Sequence, residues 1–306
     1  MREEPLTYAT RPRLADNVPL VVIFLLLADS LHFVFARLLL PYLPPATSAM
    51  YVLAIATVQL VVFTLILGHA RLTMFRRYVW FFLAVGFLVG ASTALNYTAV
   101  AFVDPGTAAL LGKTSVLFGL AFGLIWLKER FNAIETVGAV VAIIGTIIIT
   151  FQPGDFFRLG ALLVLISTFM YALHAALVKR YSTDMGLAEF FLFRLLCTTG
   201  FLFLFVAGRG QLEWPVWPAW MILVLAGTID VVLSRGLYYV ALRKLKLTHH
   251  TLILALGPLV TILWTFLLFG IAPTAQQLVG GAAVLVGVLL VTVGRERITR
   301  KNIRIL

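Results

Sequence analysis

Two carboxylates (Asp29, Asp230), two histidines (His32, His174) and four cations (Arg37, Lys113, Arg194, Arg235) fall inside long apolar runs of a 306-residue chain. An ionised side chain at the centre of a bilayer costs about 2.5–3.5 kcal/mol on insertion scales, so such residues mark binding sites, ion paths or proton relays. Their spacing sorts them. Asp29 and His32 stand i, i+3 and share a helix face. Ser167, Tyr171 and His174 form a second polar stripe. Asp230, Ser234 and Tyr238 stand i, i+4, i+8 on one face, with Arg235 about 100° from Ser234 around the helix. Histidine titrates near neutral pH, so His32 and His174 read as proton-sensitive gates or substrate contacts. Asp29 and Asp230 are the groups that would take a proton or an amine. Lys113 and Arg235 would hold an anionic group, and Lys113 lies too deep to snorkel easily. Arg194, among phenylalanines, is open to either role. Arg37, near a helix end, reads as a snorkelling cation, and Glu189 is also close to an end. Asn96, Tyr171, Tyr238 and Trp264 complete the candidate wall. The plainer reading is polar glue: each histidine bonds a neighbouring helix, and Asp29 and Asp230 pair with Arg235 and Lys113.

These residues need helices to hold them. Hydrophobic residues make up 61% of the chain and charged ones 12%, with mean hydropathy +1.02. A soluble domain cannot hide that much apolar surface, and a bilayer can. Ten spans are expected, at 18–40, 46–68, 77–98, 105–127, 132–151, 157–178, 187–208, 217–240, 247–270 and 274–294. Most reach the roughly 20 residues that cross about 30 Å of hydrocarbon. Pro and Gly punctuate the joints, at Pro41, Pro44, Pro45, Pro105, Gly106, Pro153, Gly154 and Pro273. Eighteen of the 24 cations flank one side, whereas Arg158 and Arg209 alone flank the other. The positive-inside rule then puts both termini in the cytoplasm. The net charge of +11 is thus topological and does not call for nucleic acid. Trp80 and Trp126, and Trp214, Trp217 and Trp220, fall at opposite helix ends as interfacial belts. The first span follows a short polar leader, lacks a clear cleavage site and reads as retained.

The chain also repeats itself, without a gap, at an offset of 142 residues. Leu31-His32 returns as Leu173-His174, Thr57 as Thr199, Ser92 as Ser234, Tyr97 as Tyr239, Gly138 as Gly280 and Gly145 as Gly287. Each copy holds five spans. An odd number forces the second copy to enter from the opposite side, so the expected fold is all-α and integral to the membrane, two inverted five-helix repeats with N-in/C-in topology. Segments 1–17 (cytoplasmic leader), 18–151 and 157–294 (the repeats) and 295–306 (a basic cytoplasmic tail facing lipid headgroups) organise the chain. Inverted repeats place a substrate site between halves that rock against each other. The repeat also shows what symmetry does not require: Lys113 corresponds to Ala255, Asp230 to Leu88 and Trp264 to Phe122. Gly257-Pro258 breaks the ninth span and suits a gating bend.

Other classes find less support. No H-E-x-x-H or G-x-S-x-G motif is present, which weighs against an intramembrane enzyme on lipid-linked substrates. The single cysteine, Cys197, excludes an intramolecular disulfide and a four-cysteine metal site. Neither a cofactor motif nor a nucleotide-binding loop appears, so ATP is not the direct energy source. A multidrug exporter of lipophilic cations could use Asp29, but the surplus of deep positive charge opposes it.

The chain resembles the drug/metabolite transporter superfamily, specifically the EamA-type ten-helix transporters, over essentially all of 18–294. The anchors are Gly123 to Arg130 at the end of the fourth span, Glu135-Thr-Val-Gly138 to Gly145 in the fifth, and Gln277-Leu-Val-Gly280 to Gly287 in the tenth. Where the family usually has an acidic residue after the ninth span, this chain has Gly270-Ile-Ala272-Pro273, which leaves Glu129 a structural loop residue. The resemblance implies alternating access around a central cavity. It also implies a small-molecule substrate, most often an amino acid or similar metabolite moved outward across a prokaryotic inner membrane, with protons as a candidate coupling ion. Relatives that exchange phosphorylated sugars bind phosphate through buried lysine or arginine, and Lys113 resembles such a residue by helix and depth. A ten-helix repeat pair can act as a monomer.

Overall fold

The computed structural model describes residues 18–66, 72–126, 132–151, 159–181, 185–245 and 253–303. The leader at 1–17, Lys128-Glu129-Arg130, Pro153-Gly154, Arg158 and the start of the ninth span lie outside these residues. All the described regular structure is helical. Nine helices among the described residues are long and apolar enough to cross a bilayer, and Ile253–Phe269 is a shorter apolar helix between the eighth and the last of them. The molecule wears its apolar side out: Ile66, Trp80 and Leu204 are exposed, while Asp230, His174, Ser167 and Ser234 are buried. Lipid, not water, matches that surface.

The second (Pro45–Ile66), third (Val79–Ala99), fifth (Ala133–Thr150), sixth (Leu159–Tyr181), seventh (Leu187–Gly208) and tenth (Ala275–Ile303) helices are continuous. Four are not. The first breaks at Ser30-Leu31 into Val18–Asp29 and His32–Leu39. The fourth breaks at Lys113-Thr114 into Pro105–Gly112 and Ser115–Ile125. The eighth runs as Trp217–Ala226, a π segment Gly227–Leu233, and Ser234–Lys244. The ninth turns at Leu256 before Gly257–Phe269. The breaks in the fourth and ninth helices fall at equivalent positions of the repeat, since Thr114 shifted by 142 is Leu256.

The repeat symmetry reappears in the contacts. Thr57 and Thr199, equivalent residues of the second and seventh helices, share a 2.8 Å hydrogen bond. The fifth and tenth helices begin with matching caps. The Glu135 amide donates to Asn132 Oδ1 and the Asn132 amide to Glu135 Oε2; Thr274 and Gln277 exchange the same pair of bonds. These two helices then meet backbone to backbone. A Cβ on Gly138 would lie 2.6 Å from the Gly287 carbonyl oxygen, and one on Gly145 2.6 Å from that of Gly280. Small residues that let backbones approach so closely are the usual cement of helices in lipid, where no hydrophobic force drives association.

One end of the bundle is sealed by the core around Leu39, Leu43, Val100, Val103 and Leu223. There Arg37 donates to the Val100 carbonyl, and Thr47 and Tyr51 donate to the carbonyls of Gln211 and Glu213. Arg37 therefore ties the first helix to the connection after the third.

Candidate functional site

A cavity of about 670 Å³ lies between the two repeats, lined by the first, second, third, fourth, sixth, seventh, eighth and ninth helices. Its size suits a small organic ligand. The described lining runs from Asn96 and Tyr97 to Val178, Lys179 and Phe190; Lys179 is exposed at a helix end, so the cavity reaches the surface there. Of the residues singled out by sequence, Asp29, His32, Asn96, Lys113, Tyr171, His174, Asp230, Arg235 and Tyr238 line it. Trp264 stands outside the lining, its indole N–H donating to Ser30 Oγ at 3.1 Å.

The first and eighth helices face each other through charge. His32 Nδ1 meets Asp230 Oδ2 at 2.8 Å. Arg235 Nη1 lies 4.0 Å from Asp29 Oδ1, which also accepts from Ser234 Oγ at 3.3 Å. The π segment explains this register. Its i→i+5 bonding brings Asp230 and Arg235, five residues apart, onto one face against Asp29 and His32. Ser234, expected on the cavity stripe, is fully buried and turned onto Asp29 instead.

Lys113 has a different partner from the carboxylates proposed by sequence: its ammonium donates to the Leu254 carbonyl at 2.8 Å. Pro258 has no N–H to give that carbonyl four residues earlier, so a side chain of the first repeat serves a backbone acceptor of the second. The Ser30 carbonyl, at the break of the first helix, is served similarly by Thr261 Oγ1 at 2.9 Å. Interrupted backbone survives in a membrane where neighbouring groups or a polar cavity satisfy it.

On the sixth helix, His174 Nδ1 lies 3.2 Å from the Tyr171 carbonyl, and the Tyr171 hydroxyl accepts a hydrogen bond from Arg194 and feels the charge of Arg235. Arg194, of the seventh helix, also lies over the Phe191 ring and beside His174. Three buried polar atoms on the lining have no hydrogen-bond partner among the described residues: Asn96 Oδ1, Tyr97 OH and His174 Nε2. Tyr97 and Arg194 are lining residues that the sequence reading did not single out as a wall. The repeat pairing of Tyr97 with Tyr239 and the depth of Arg194 were the available signals.

Discontinuous helices, ionisable groups at their breaks and a cavity shared by two related halves define a membrane transporter of the repeat-built class. The EamA-like transporter family matches residues 18–151 and 158–293, once for each half, and the chain belongs to that family. It is 26% identical over 189 residues to a Bacillus subtilis (strain 168) protein named "Uncharacterized transporter YdfC", covering 61% of this chain and 62% of that relative. It is 24% identical over 237 residues to "Uncharacterized transporter sll1164" of Synechocystis sp. (strain ATCC 27184 / PCC 6803 / Kazusa), covering 72% and 67%. A solved crystal structure aligns with 91% of this chain and 98% of its own, with a TM-score of 0.64 at 17% identity, which speaks to the fold alone.

Proposed function

We propose that this chain is a secondary active transporter that exports small polar metabolites, amino acids foremost, by alternating access. The inner (plasma) membrane of a prokaryote is its location, with both termini cytoplasmic. One observation carries the reading: the cavity lining holds donors (Arg194, Arg235) together with two buried acceptors, Asn96 Oδ1 and His174 Nε2, that have no hydrogen-bond partner among the described residues. A zwitterion satisfies both kinds of group, and a simple anion or cation satisfies one. The cation excess on the Lys179 side supports a cavity open to the cytoplasm, ready to load substrate for export. His32 and Asp230 join the repeats with groups able to exchange a proton, which supports proton coupling. The deep cations favour a second reading, an exchanger of phosphorylated or other organic anions.

Counterflow of labelled amino acids, phosphorylated sugars, organic acids and lipophilic cations into proteoliposomes tests both. The expected result is exchange of at least one amino acid, reduced at least about tenfold in Arg235→Ala, the size of effect for losing a charge-assisted hydrogen bond. Exchange confined to phosphates would establish the second reading. Exchange confined to cations would sink both.

A further inference from the structure

The two symmetry-related histidines are not chemically equivalent. Nδ1 of His32 is engaged by the carboxylate of Asp230. Nδ1 of His174 is engaged instead by a carbonyl of its own helix, that of Tyr171. A carbonyl only accepts, so this contact puts the proton on Nδ1 and leaves Nε2 of the neutral imidazole as a lone-pair acceptor. That nitrogen is buried without a donor among the described residues, on a residue only 5% exposed that lines the cavity. A buried acceptor with no donor is costly to keep. The charges of Arg194 and, more weakly, Arg235 act on this imidazole, and both residues line the same cavity. Both are donor-only groups suited to a carboxylate.

An acceptor and donors that line one cavity can read two groups of one ligand. We propose that His174 is the specificity-determining residue of the cavity: Nε2 accepts an N–H or O–H borne next to the carboxylate that the guanidiniums hold. The ligand class is thereby an α-amino or α-hydroxy acid, and a plain monocarboxylate leaves the nitrogen unpaired. Asn96 Oδ1 offers a second acceptor to the same class. The inference deepens the transport reading and rests on it.

The test is binding to the purified full chain, by thermal shift and equilibrium titration, of the L-α-amino acids and of each one's des-amino carboxylic acid. In the wild type the preferred amino acid binds at least about tenfold tighter than its des-amino analogue, because only the former satisfies the buried acceptor. His174→Phe reduces that preference below about twofold by weakening the amino acid alone, and His174→Gln, which retains an acceptor, restores most of it. Equal weakening of both compounds in His174→Phe means the residue is structural and overturns the inference. Preference that persists in His174→Phe does the same. A wild type that binds the two equally removes the role of His174 while leaving anion transport standing, and a wild type that binds neither removes both readings.

Discussion

The repeat relates two seams of the molecule, and they are built from opposite chemistry. The third helix meets the sixth through Ser92 and Ser167: each hydroxyl donates to the other's carbonyl, at 3.1 and 2.9 Å, and the hydroxyls lie 2.9 Å apart. The symmetry-related seam joins the eighth helix to the first. There Ser234, the counterpart of Ser92, meets Asp29, and the contact is dominated by His32–Asp230 and Asp29–Arg235. Continuous helices carry the neutral seam; a broken helix and a π segment carry the charged one. Packing alone is satisfied by two serines, as the first seam demonstrates. The extra charges of the second are therefore unnecessary for holding the halves together.

The strongest way to break this contrast is to make the seams alike. Asp230→Leu installs the residue found at the equivalent position, Leu88. That change removes the charge-assisted contact to His32, so transport should fall at least about tenfold in proteoliposomes while the protein stays monodisperse. Flux within tenfold of wild type would mean the charges are glue after all. A smaller effect is expected for Asp29–Arg235, whose 4.0 Å separation and partial exposure mark a loose pair. A double-mutant cycle with Asp29→Asn and Arg235→Gln should give a coupling of about 1 kcal/mol in stability; additive single effects would separate the two residues. The smallest change belongs to the neutral seam. Ser167→Ala should cost about 0.6 kcal/mol, typical for a hydrogen bond between membrane helices, visible as a slightly lower Tm with transport within about twofold of wild type. A large loss of transport there would erase the distinction between the seams.

The sequence announced the fold through signals that survive in one dimension. Apolar run length and the 142-residue offset are such signals, whereas the caps at Asn132–Glu135 and Thr274–Gln277 were not read from the sequence. The polar residues of the cavity were legible as a set because charge inside an apolar run is visible wherever it falls. Their pairing was less so. Asp29 with Arg235 matches the expected partnership, but Asp230 takes His32 and Lys113 takes a backbone carbonyl. Those pairings depend on helix rotation, and counting at 100° per residue fails where the eighth helix becomes π and the first and fourth break. Ser234 shows the size of the error: the pattern put it on the cavity stripe, and the altered register turned it inward. Arg194 entered the lining from the seventh helix, which carries no polar stripe to advertise it.

The bridge from Lys113 to Leu254 makes the lysine a scarce resource. Its ammonium already completes the backbone of the ninth helix, across the boundary between the repeats. An anion that pulled the ammonium out of reach of Leu254 would strip that carbonyl of its donor, four residues before Pro258, whose missing N–H already interrupts the helix. Capture of an anion by Lys113 and loosening of the ninth helix would then be two readings of one displacement, which would carry occupancy of the cavity to the opposite repeat.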